Sequence, residues 1–92
     1  MNSILSKKLH RTNRVVWRII DGEAIILGTE KQAVYTTNRI GSLIWDNIDG
    51  KKTIREIINK IVNEFDVEYR KAKEDTLIFI DELIKHNLVF SK

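Results

Sequence analysis

The sequence predicts an α+β domain in which a three-stranded antiparallel sheet is followed by a three-helix bundle. Three observations lead there. A β-branched run, Val15 to Ile20, meets Asp21-Gly22, the pattern of a strand entering a hairpin turn. From Asn38 onward the apolar spacing changes from alternation to steps of three and four. Helix-start signatures then stand at Asn38 and at Thr53–Glu56. With 92 residues, 42% of them apolar and 32% charged, the chain suits one small domain and is too apolar for a disordered tail.

In the first strand Val15, Trp17 and Ile19 share one face, and Val16, Arg18 and Ile20 the other. Gly22 accepts the positive φ of the turn without a Cβ clash. Ala24 to Leu27 is the return strand, Gly28 to Gln32 a second turn, and Ala33 to Thr36 a short third strand with Tyr35 facing away from Val34 and Thr36. Both outer strands of such a meander can be edges.

Asn38 or Thr37 caps a helix over 39–48, with Ile40, Leu43, Ile44 and Ile48 at helical spacing and Trp45 widening the stripe. Asp49-Gly50 is expected to stop it. Thr53 and Glu56 form a capping box, after which Ile54, Ile57, Ile58, Ile61, Val62 and Phe65 make an amphipathic helix. A third helix is predicted from Tyr69 to His86, with Asn87 in a left-handed cap. Ala72, Thr76, Phe79, Ile80 and Leu83 are its core stripe. Leu77 and Ile84 extend the stripe beyond the ~100° that packing on one side requires.

No apolar run approaches the ~20 residues of a membrane span, and no signal-peptide core is visible. Cys is absent, which excludes disulfides and thiolate chemistry, and a cytoplasmic setting is expected. The net charge of +3 is unevenly distributed. Residues 1–20 hold five cations (Lys7, Lys8, Arg11, Arg14 and Arg18) and no acid, so the remainder carries −2. Residues 1–12 therefore read as a flexible basic arm and 13–92 as the domain.

Signals for catalysis are weak. His10 and His86 are too few and too far apart to suggest a metal site. The acids are scattered over helix starts and solvated faces, with no Gly-rich phosphate loop and no Ser-His pairing. No catalytic residue, metal or cofactor is expected. Three helices with a hairpin also suit a winged-helix DNA-binding regulator. The predicted third helix argues against it, because Arg70, Lys71, Lys73 and Lys85 are balanced by Glu74, Asp75, Asp81 and Glu82. The remaining candidate is a peptide site. A short edge strand accepts a further strand, and a helix with a spare apolar flank forms one wall beside it. Tyr35, Leu77, Ile80 and Ile84 would supply the pockets. The same flank could equally pack beneath the meander.

The ordered landmarks resemble the PqqD family, the small recognition elements for ribosomally made, modified peptides. They run from about Arg14 to Val89: Trp17, Asp21-Gly22-Glu23-Ala24, Ile26-Leu27, Tyr35, Asn38, Gly41, Ile44-Trp45, Asp49-Gly50, Thr53, Glu56-Ile57, Asp75 and the closing Leu83 to Leu88. Two departures are Thr37, where the family tends to be apolar, and Asn87, where it tends to have Gly. The resemblance implies a winged-helix-turn-helix-like fold without catalytic activity. It also implies binding of a precursor's leader as an added strand between the third strand and third helix. The leader would be presented to a radical SAM maturase with extra iron–sulfur clusters (SPASM-type), as in pyrroloquinoline quinone biosynthesis, or to a leader peptidase. Carried over by position, the groove comprises Ala33, Val34, Tyr35, Thr36, Leu77, Ile80, Asp81 and Ile84. Nucleic acid and membrane are not expected partners, and an unpaired edge leaves a homodimer open.

Overall fold

Two small antiparallel sheets flank three helices in the computed structural model, which describes residues 4–13, 15–27 and 34–91. The first sheet is the predicted meander: β2 (Val16–Ile20), β3 (Glu23–Leu27) and β4 (Val34–Thr36), in that order. Ile20 pairs with Glu23 across a two-residue turn. Asp21 and Gly22 have φ of 53° and 78°, the pair of positive values that matches strand twist in a tight hairpin. Trp17, Ile26 and Tyr35 lie opposite one another and share the inner face, where Ile26 is fully buried. The predicted turn at 28–32 and Ala33 lie outside the described residues.

Helix α1 (Arg39–Asp46) starts at Asn38, whose Oδ1 accepts from the Gly41 amide at 2.8 Å. Thr37 is accommodated through polar partners. Its N–H donates to the Ala24 carbonyl at 3.0 Å, and its hydroxyl meets the buried Ser42 hydroxyl at 2.8 Å. Ser42 Oγ also accepts from the Ala24 amide, so hydroxyl groups fasten α1 to β3. The helix ends earlier than the expected stop. Asn47 caps it, its N–H reaching the carbonyls of Leu43 and Ile44, and its side-chain amide donates to Leu43 at 2.7 Å. Gly50 has the left-handed φ, +80°, but it sits in β5 (Asp49–Thr53).

The second sheet was absent from the sequence expectation. Its order is β5-β1-β6, with β1 (Lys8–Arg11) at the centre and β6 (Val89–Ser91) at the far edge. The expected flexible arm, residues 1–12, therefore does not describe Lys8–Arg11. The cause is Leu9, 2% exposed, whose burial on the core fixes the strand register while Lys7 and Lys8 stay exposed.

Helix α2 (Ile54–Phe65) opens with the predicted capping box: Glu56 N–H donates to Thr53 Oγ1, and Thr53 N–H donates to Glu56 Oε1 at 2.8 Å. Ile54, Ile57, Ile58 and Ile61 are fully buried, each contributing about 2 kcal/mol of hydrophobic stabilisation. Helix α3 (Tyr69–Lys85) closes as a Schellman motif. Asn87, at φ 58°, donates to the Ile84 carbonyl, and Leu88 donates to that of Leu83. Asn tolerates the left-handed backbone, so the departure from Gly is accommodated.

Candidate functional site

Edge strand β4 and one flank of α3 define the site. Among the described residues β4 pairs only with β3. Thr37 N–H donates to Ala24, and hydrogen-bonded pairs alternate along an antiparallel ladder. Tyr35–Ile26 is thus the next bonded pair. Val34 and Thr36 consequently turn their N–H and C=O groups toward the free edge, offering two donors and two acceptors.

Tyr35 lies on the inner face and meets the last turn of α3. Its ring is 4.8 Å from that of His86, tilted by 59°. Burial, with the nearby Glu82 carboxylate, pushes the Tyr35 phenol above its ordinary pKa. The ring contact fixes which flank of α3 borders β4. At about 100° per residue, Phe79, Asp75, Glu82 and His86 fall on one side of the buried Leu83, with Ile78 farther round. Phe79 is half-buried against the core, and Ile78 is 64% exposed. Asp75 is paired with Lys71 at 3.4 Å. The Glu82 carboxylate has neither an ion pair nor a hydrogen bond among the described residues.

The expected groove set is divided by this geometry. Tyr35 and Thr36 stand at the edge, Val34 pairs there with Leu27, and Ala33 is outside the described residues. Ile80 is 1% exposed and belongs to the core, so a ligand cannot reach it. Helical phase places Leu77, Asp81 and Ile84 on the opposite flank. Leu77 packs on the core, Ile84 is 41% exposed, and Asp81 pairs with Lys85 at 3.1 Å. The apolar extension of the stripe points to Leu77 and Ile84, whereas the flank that meets Tyr35 carries Glu82, His86 and Ile78. The lone Ile78 on an otherwise polar face was the available signal.

Elsewhere, a recess of about 340 Å³ between the two sheets is lined by Arg11, Trp17, Ile48 and Asp49, among others. Arg11 is committed there to the carbonyls of Trp45 and Asp46, at 2.9 and 3.2 Å. Among the described residues no group of acidic or histidine side chains could hold a metal ion, and no helix is long and apolar enough to cross a membrane. Three of the four cations of α3 are engaged by acids one turn away: Arg70–Glu74, Lys71–Asp75 and Lys85–Asp81. That leaves little free positive charge for a phosphate backbone.

Residues 23–89 match the family model described as coenzyme PQQ synthesis protein D (PqqD). No curated protein sequence matches the chain significantly. Two solved structures share its fold. TbiB1 in complex with the TbiA(beta) leader peptide is 25% identical with a TM-score of 0.79, covering 87% of this chain and 93% of its own. Lasso peptide synthetase B1 complexed with the leader peptide is 13% identical at the same TM-score of 0.79, covering 90% and 98%.

Proposed function

The chain belongs to the coenzyme PQQ synthesis protein D (PqqD) family, and from that premise we propose that it is a noncatalytic peptide-binding adaptor. It takes the leader of a ribosomally made precursor as an added strand on β4 and presents it to a modifying enzyme. The observation that carries this reading is the β4 edge, unpaired among the described residues, beside the exposed flank of α3. The likeness to TbiB1, a protein solved with a leader peptide, supports it.

The edge supplies affinity through the backbone. Each hydrogen bond to Val34 or Thr36 contributes about 1 kcal/mol net, independent of leader sequence. Selection comes from side chains. A ligand residue opposite Tyr35 shares its inner face and points at α3. The residues that hold the leader are therefore Val34, Tyr35, Thr36, Ile78, Glu82 and His86. The receiving enzyme is a radical SAM maturase or a leader peptidase. Co-purification with and without the precursor distinguishes an adaptor from a subunit that docks unaided.

Titration of isotope-labelled protein with the precursor encoded beside its gene tests the site. Amide shifts are expected at 34–36 and at 78, 82 and 86. Shifts confined to the second sheet would refute the assignment. Two variants separate the flanks of α3. Ile78→Asp is expected to weaken binding at least fivefold with stability unchanged within about 0.5 kcal/mol. Ile84→Asp should leave binding intact, and loss of binding there would favour the opposite flank.

A further inference from the structure

We propose that the groove selects leaders carrying a Lys or Arg on the inward face of the added strand, seated against Glu82, beside an apolar inward residue seated against Ile78. This inference rests on the peptide-binding reading above and concerns the composition of the peptide.

Glu82 is the one acid on this wall left without a partner among the described residues; Asp75 is already neutralised by Lys71. The His86 ring meets that of Tyr35 at 4.8 Å, tilted by 59°, at this end of the groove. A strand laid along β4 would take water from the Glu82 carboxylate. An inward acid would add repulsion, and an inward aliphatic residue would leave the carboxylate covered and unpaired. An inward Lys or Arg neutralises it and supplies donors. Discrimination therefore works largely by rejecting the wrong leaders. One turn below, Ile78 presents an apolar surface that is 64% exposed among the described residues. A helical turn rises about 5.4 Å, and alternate side chains of a strand are about 6.7 Å apart. A strand running along α3 would therefore set consecutive inward residues against consecutive turns, a basic residue and an apolar residue separated by one outward position. The Tyr35 phenol is raised chiefly by burial and in smaller part by Glu82, which agrees with the carboxylate lying on the Tyr35 side of α3.

The test uses the intact protein and three fluorescent probe peptides of alternating Val and Thr, identical except for one inward position holding Lys, norleucine or Glu. Binding is read by anisotropy, and the site by amide shifts of β4. The Lys probe is expected to bind roughly threefold tighter than the norleucine probe and about tenfold tighter than the Glu probe, with the gap shrinking as salt rises. Glu82→Lys, at an exposed position that tolerates substitution, should reverse the order. Equal binding of all three probes with β4 shifts intact would overturn the charge selection and leave the peptide site standing. Binding without β4 shifts, or no binding by any probe, would overturn the groove itself and this inference with it.

Discussion

Asp49 shows how one carboxylate can hold a strand together. It accepts from the backbone amides of Lys51 and Lys52, at 2.8 and 3.2 Å, and from the Lys52 ammonium at 2.9 Å. The Lys52 contact leads in holding its pKa far below the usual carboxylate range, and the backbone donors add to it. A depressed folded-state pKa stabilises above the unfolded value near 4 and loses that contribution as pH falls through the folded value. Asp49→Asn keeps the two amide acceptances and removes the charge. Denaturant titrations from neutral pH to about pH 2 should therefore show a shallower acid-side loss for the variant. Parallel curves would mean that other carboxylates dominate. Next to it, Gly50 has φ +80°, and a Cβ there would lie 2.5 Å from the His10 ring. Gly50→Ala should cost roughly 2–4 kcal/mol in chemical denaturation, part clash and part backbone strain. In the His10→Ala background the clash disappears and the left-handed backbone cost of about 1–2 kcal/mol remains. Additive losses would place the strain elsewhere.

At the level of elements, legibility followed how local the determining physics was. The Asp21-Gly22 hairpin, the capping box at Thr53–Glu56 and the four isoleucines of α2 are decided within a few residues, and all three are where the pattern puts them. Strand β1 is decided by partners about 40 and 80 residues away in β5 and β6, with one buried side chain, Leu9, among cations. Charge alone made that segment read as solvated. Leu9→Ala is accordingly expected to cost about 2–4 kcal/mol, as a core truncation does. Replacement of Lys7 or Lys8 by Ala should change stability by less than about 0.5 kcal/mol. If Leu9→Ala is also silent in thermal melts, β1 adds nothing to the core. In α3 the periodicity located the buried seam but not which flank borders β4. That choice depends on Tyr35 meeting His86 across the chain, and three of the bordering residues, Asp75, Glu82 and His86, are polar and carry no apolar signal.

Across the molecule, one side chain ties the two sheets to the helices. Arg11 belongs to β1, its guanidinium lies 4.8 Å from the Trp17 ring of β2, and it donates to the last carbonyls of α1. The Trp45 ring is 5.9 Å away and meets Trp17 edge to face. A cation over an aromatic face and at a helix C-terminus gains from both, and the planar guanidinium can satisfy both at once. Lys offers a point charge that cannot stack while donating twice, so Arg11→Lys is not a mild change here. We expect it to cost about 1–2 kcal/mol, and Arg11→Ala about 2–3 kcal/mol. The loss should be unevenly distributed. Strand β2 has β3 as its only strand partner among the described residues, so without Arg11 its amides should lose hydrogen-exchange protection before those of α2. Because β2 and β3 hold β4 in place, leader affinity should fall with that protection although Arg11 lies away from the groove. Uniform loss of protection through β2 and α2 would show instead that Arg11 contributes to global stability alone.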